Sequence, residues 1–293
     1  MPEMNNLVTG LRIGYDDSGQ GPPLLLLHAF PLDRRMWRDL TGSLSGQARV
    51  ITLDARGFGQ SSLPQHAAAG GIPDEPHHRR PRPARSSAPP QEPGTTFSME
   101  SFADDAAAVM DGLGIDKATV GGLSMGGYAA LAFARKYPQR LDGLILANTR
   151  AEADSEEALG QRSALAERIR RENSPRPALD GLPRMLSPGA TAEQVATVTS
   201  WILEANPAAV VAAIAGLAAR PDSTSLLPRI RARTLIIGGE QDAITPPMAL
   251  ETLHHGIPGS RLVLIPGAGH LSNLEAPQAF AAAVADFMER HRG

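Results

Sequence analysis

The chain has 293 residues, 42% of them hydrophobic, a formal net charge of −3 and no cysteine. A chain of this size buries a full core, and one α/β domain with an inserted subdomain is more economical than two independent domains. The charge balance gives no electrostatic reason for a nucleic acid or acidic membrane partner, the lack of cysteine excludes disulfides and thiolate metal sites, and no apolar run approaches a membrane span.

In chain order, Met1–Gly10 is polar without an apolar leader, so a cytoplasmic protein is the expectation. Leu11–Tyr15 reads as an edge strand, and Leu24–His28 and Val50–Asp54 as buried parallel strands. Residues 65–95, rich in Pro, Arg and Ser, cannot bury enough apolar surface to offset ordering and read as a disordered surface insert. Its His77 and His78 are read as solvated rather than metal-binding. Ala118–Val120 is a strand followed by a helical pattern from Tyr128 to about Tyr137, and Leu141–Ala147 is the next strand. Three amphipathic helices follow at Ser155–Arg171, Thr191–Ala205 and Pro207–Ala219. Strands at Thr234–Gly239 and Arg261–Pro266 and a helix from near Ala276 complete the chain. Apolar runs alternating with helical patterns imply a mostly parallel central sheet with helices on both faces. The division expected is a core of residues 1–149 and 229–293 and a helical subdomain of 150–228.

Gly122-Leu123-Ser124-Met125-Gly126 lies between the elbow strand and its helix. A G-x-S-x-G turn holds serine on a sharp bend with its hydroxyl exposed, and the flanking glycines relieve the crowding of the bend. A nucleophilic serine needs a base and an orienting acid, and in one known chain order the acid follows the serine and the histidine follows the acid. Asp242 and His270 each lie just beyond an apolar strand pattern, in that order. Asp242 taken alone reads better as a cap for the helix entered at Pro246, and Glu240 is a rival acid closer to the strand. Of eight histidines only His28 and His270 directly follow strand patterns. The candidate catalytic residues are therefore Ser124, Asp242 and His270. Backbone N–H groups of Met125, and of Phe30 after an early strand, are the candidate donors to a tetrahedral oxyanion.

These segments resemble the α/β-hydrolase fold family. His28-Ala29-Phe30-Pro31 resembles its oxyanion loop, Asp54-Ala55-Arg56-Gly57-Phe58-Gly59-Gln60-Ser61 its D-x-R-G-x-G-x-S segment, and Gly269-His270 its histidine loop. Ala29 stands where the family usually has glycine, which implies a slightly reshaped oxyanion loop. The stretch His28–Trp37 together with the elbow is similar to small esterases and to lactonases related to 3-oxoadipate enol-lactonase, and also to cofactor-free perhydrolases and haloperoxidases. The serine argues against haloalkane dehalogenases and epoxide hydrolases, which carry aspartate there. The resemblance implies a helical cap at 150–228, with Met185 and Trp201 as substrate-pocket residues. It also implies a serine-dependent esterase or lactonase acting on a small-molecule substrate, with no metal and no cofactor. Two alternatives stay open: a perhydrolase using the same three residues, and a ligand sensor that retains them with slow turnover.

Overall fold

The computed structural model describes residues 3–5, 10–64 and 97–289. The insert expected at 65–95 lies outside the described residues. Eight strands form one sheet: β1 (Glu3–Asn5), β2 (Arg12–Gly19), β3 (Pro23–Leu27), β4 (Arg49–Leu53), β5 (Ala118–Leu123), β6 (Leu141–Ala147), β7 (Arg233–Gly239) and β8 (Arg261–Ile265). Their spatial order is β1-β2-β4-β3-β5-β6-β7-β8. The pairs β1/β2 and β2/β4 are antiparallel, and from β4 to β8 every pair is parallel.

Ten helices accompany the strands among the described residues: α1 (Arg38–Leu44), α2 (Met99–Gly112), α3 (Met125–Lys136), α4 (Glu156–Glu172), α5 (Leu182–Met185), α6 (Ala192–Glu204), α7 (Pro207–Ala218), α8 (Pro247–Gly256), α9 (Ser272–Glu275) and α10 (Pro277–Glu289). Side chains on a strand alternate between faces. Leu25 and Leu27 therefore join the core beneath α2, α3 and α8, with Phe102, Phe133 and Leu250, while Leu24 and Leu26 join the core beneath α1 and α10, with Leu40, Phe280 and Val284. Both faces are covered, which is why the parallel strands read as unbroken apolar runs.

The differences from the sequence reading have local causes. β2 runs on through Asp16, Asp17 and Ser18 to Gly19 because it pairs with β4, and Asp17 meets Arg49 at 2.7 Å on that partner strand. Helix α3 begins at Met125 rather than Tyr128, so Gly126 and Gly127 lie inside its first turn. Helix α2 is an addition. Its start is a reciprocal Ser98/Ser101 capping box, with backbone-to-hydroxyl distances of 2.8 and 3.0 Å. The predicted starts of α4 and α6 are the N-caps themselves, Ser155 and Thr191.

Helices α4 to α7 all lie between β6 and β7. An ion pair joins the two ends of this excursion: Arg220 meets Asp154 at 2.8 Å, with its guanidinium 4.1 Å above the Tyr128 ring of α3. Among the described residues no single helix is long and apolar enough to cross a membrane.

Candidate active site

Ser124 joins β5 to α3 with φ 56° and ψ −111°, a left-handed backbone that L-residues adopt only when their surroundings force it. Its N–H donates to Ala147 O at 2.9 Å and its carbonyl accepts from Tyr128 N at 3.1 Å and from Thr149 Oγ1 at 3.0 Å, so the bend is held from both sides. A methyl group on Gly122 would overlap the Gly126 carbonyl, and one on Gly126 would overlap the Leu27 carbonyl of β3. One on Gly127 would come within 2.6 Å of the Thr149 side chain. The three glycines are thus required by close approach of neighbouring chain. The Ser124 side chain makes no hydrogen bond to another described residue. Bonds of this kind commonly tighten only with substrate in place.

Asp242 and His270 follow β7 and β8, two and three strands along from β5, and both are buried. His270 Nδ1 lies 2.8 Å from Asp242 Oδ2. The same oxygen accepts from Asn148 Nδ2 at 2.8 Å and from Thr245 Oγ1 at 2.5 Å, while Oδ1 accepts from the backbone N–H groups of Ile244 (2.7 Å) and Thr245 (2.8 Å). Burial alone would push this carboxyl up, but the His270 contact and the ring of donors hold it down at about 2. The capping expectation for Asp242 does not hold. Helix α8 has Pro246 at its N-cap with no side-chain bond, and Asp242 organises the approach loop instead. The rival Glu240 points to solvent.

The N–H groups of Phe30 and Met125 donate to no described residue. The loop holding Phe30 is built on His28. Its Nε2 accepts from Ala55 N (2.9 Å), its Nδ1 contacts Ala29 O (2.9 Å), and its ring lies 5.4 and 5.5 Å from the rings of Phe58 and Phe102. Burial pushes this imidazole below the usual histidine range, which keeps Nε2 an acceptor. Ala29 is fully buried, its N–H pointing to Met36 Sδ at 3.2 Å, so the methyl expected to perturb the loop is packed into the core. The Asp54–Ser61 segment braces the same loop: Asp54 accepts from Arg34 N and Gln60 N, both at 2.9 Å, and Ser61 bonds Asp54 O at 2.7 Å.

Met185 is buried against the histidine loop, its carbonyl accepting from Leu271 N at 3.0 Å. Glu275 clips the same place by accepting from Gly269 N (3.1 Å) and Ser187 N (2.7 Å). Trp201, on α6, faces Arg35 instead, whose guanidinium lies 5.6 Å above its ring. A cavity of about 690 Å³ opens beside Arg35, walled by Pro31–Arg34, Gly57–Ser61 and Glu204–Asn206; neither Ser124, Asp242 nor His270 lines it. Sequence reading missed Asn148, Thr245, Ser272 and Glu275. For Asn148 a signal existed, a polar residue directly after the buried strand β6.

A parallel sheet with a strained serine elbow and a buried carboxylate–imidazole pair along its carboxyl edge defines an α/β hydrolase. Residues 22–277 match the family of the alpha/beta hydrolase fold, and the chain belongs to that family. A thermophilic esterase from Thermogutta terrifontis, solved with malate bound, is 38% identical, with a TM-score of 0.86 over 100% of this chain and 99% of its own. A pimeloyl-[acyl-carrier protein] methyl ester esterase of Neisseria meningitidis is 31% identical over 90% of this chain and 92% of its own length. 3-Oxoadipate enol-lactonase 2 of Acinetobacter baylyi is 27% identical over 96% and 94%.

Proposed function

We propose that this protein hydrolyses small, largely apolar carboxylic esters or lactones through a serine acyl-enzyme. His270 takes the proton of Ser124 as its oxygen attacks the carbonyl, and Asp242 holds the imidazole in the productive tautomer and stabilises its cation. The backbone N–H groups of Met125 and Phe30 receive the tetrahedral oxyanion, and collapse expels the alcohol with the proton from His270. Water activated by the same histidine then attacks the acyl-enzyme and releases the acid. The scheme calls on no metal and no organic cofactor.

The observation that carries this reading is the serine on a strained, glycine-walled elbow at the same sheet edge as a buried Asp242–His270 pair 2.8 Å apart. The esterase and lactonase relatives support the bond type. In this reading residues 150–228 form the cap, with Met185 in the pocket wall. Ser124→Ala is expected to abolish hydrolysis of p-nitrophenyl acetate while circular dichroism and melting stay as in the wild type. A well-folded variant with a rate within about tenfold of wild type would end the proposal. Initial rates on a panel of esters and lactones of graded acyl length then separate the two substrate classes.

A further inference from the structure

Asn148 directly follows β6, fully buried and with a left-handed backbone, φ 43°. Its N–H donates to Ile237 O at 2.9 Å, tying the end of β6 to β7. Its side chain touches three residues on two segments, the acid's loop and the stretch around His270. Nδ2 donates to Asp242 Oδ2 at 2.8 Å and to Gly269 O at 3.3 Å, while Oδ1 accepts from Ser272 Oγ at 2.6 Å. The amide has one workable orientation. Flipped, its oxygen would face the Asp242 carboxylate and the Gly269 carbonyl, two acceptors, with no donor between them.

We propose that Asn148, aligned by Ser272, is a positioning residue for the acid–base pair. It keeps Asp242 Oδ2 on His270 Nδ1 and, through Gly269 O, keeps the loop carrying His270 in register with it. This rests on Ser124, His270 and Asp242 acting as the catalytic triad. Asn148 shares Oδ2 with the imidazole, so it also tempers the negative charge that the imidazole meets. Removing the amide has two consequences: the pair loses a tether, and the protonated imidazole is favoured more strongly. The other charged groups close by are Arg150 and Arg184, which donate to Ile244 O and Ala243 O on the acid's loop, and Glu275, which accepts from Gly269 N. All are left in place by the test.

Three variants separate positioning from mere anchoring of β6. Asn148→Gly keeps the left-handed backbone and deletes the amide. Ser272→Ala leaves residue 148 alone and removes the hydroxyl that its Oδ1 accepts from. Asn148→Asp is nearly isosteric and replaces a donor by a carboxylate. Steady-state kinetics on p-nitrophenyl acetate from about pH 5 to 9, with melting curves and Ser124→Ala in parallel, supply the readout. Asn148→Gly should lower kcat roughly tenfold to a hundredfold, the worth of a hydrogen bond to a charged group, with KM within about threefold. Ser272→Ala should show the same pattern less strongly. Asn148→Asp should move the acid limb of the profile to higher pH, because added negative charge favours the protonated imidazole. Wild-type kcat and an unmoved acid limb in the variants that fold, whatever their melting temperatures, overturn the positioning role while an inactive Ser124→Ala leaves the catalytic reading standing. Wild-type activity in Ser124→Ala overturns that reading itself. Should Asn148→Gly fail to fold, Ser272→Ala and Asn148→Asp decide by the same criteria.

Discussion

The elbow at Ser124 and the pair Asp242–His270 share one edge of one sheet, yet the first is shaped by missing side chains and the second by present ones. At the elbow, Gly122, Gly126 and Gly127 let the backbone of α3 sit against β3 and Thr149, and no added atom could improve the fit. Around Asp242, five donors from the end of β6, the acid's own loop and the histidine loop converge on one carboxylate. Steric devices of the first kind are local and all-or-none, because backbone cannot give way to a methyl group. Electrostatic devices of the second kind are distributed, and each contact can be removed with a graded loss.

The largest effect should come from breaking the steric half. In Gly126→Ala the new methyl falls on Leu27 O and lies 2.9 Å from His28 O, backbone atoms of β3 and the loop that follows it. The expected cost is about 3 kcal/mol or more of stability, with loss of measurable hydrolysis. Melting and p-nitrophenyl acetate assays check it, and a variant with wild-type melting and rate would show the elbow to be more forgiving than its geometry.

Asp242→Asn tests the electrostatic half. It preserves shape but gives the imidazole the wrong partner, and kcat should fall by roughly a thousandfold or more. A pH effect accompanies it. The carboxyl sits at about 2 in the folded chain against about 3.9 when unfolded, so its stabilisation of roughly 2 to 3 kcal/mol is complete above about pH 5 and is lost as the pH falls through 2. Chemical denaturation at a series of acidic pH values should show this loss in the wild type and its reduction in the variant.

The smallest effect is expected where the α4–α7 excursion is tied together beside α3. Burial pushes the Asp154 carboxyl up, but Arg220 and Arg162 outweigh it and hold it at about 2. Asp154→Asn leaves the buried Arg220 without its charge partner and should cost about 2 kcal/mol of stability, with kcat/KM for a small ester changed by less than about threefold. A kinetic loss much larger than this would tie the α4–α7 excursion to the chemistry itself.

The same contrast explains what could be read from the sequence. Ser124 and its glycines are contiguous, and the strands ending near Asp242 and His270 are unbroken apolar runs, so their places at the sheet edge were legible. Strand β6 was read at Leu141–Ala147, its observed bounds, because both of its neighbours bury it and every residue from Gly143 on is buried. Asn148 was not legible as a partner of Asp242, because 94 residues separate them and only the register of β6 against β7 brings them together. Helix α2 escaped because its buried face mixes polar Ser101 and Asp105 and three alanines with its larger apolar residues, which blurs the apolar pattern, and its best marker was the Ser98/Ser101 box. Strand β1 is polar and exists through its pairing with β2 alone.

The clip at Glu275 sets a boundary for anyone grafting a different helical insertion onto this core. Leu271 and Gly269, on either side of His270, are bonded respectively to Met185 and, through the Glu275 carboxylate, to Ser187. The stretch 185–187 is sequentially part of the excursion between β6 and β7 but mechanically part of the histidine loop. An exchange made wholesale from Arg150 to Pro228 would carry away half of that joint and loosen the base. One confined to α6 and α7 would keep the joint and still replace the helix that bears Trp201. The practical seam for such an exchange therefore lies after Ser187.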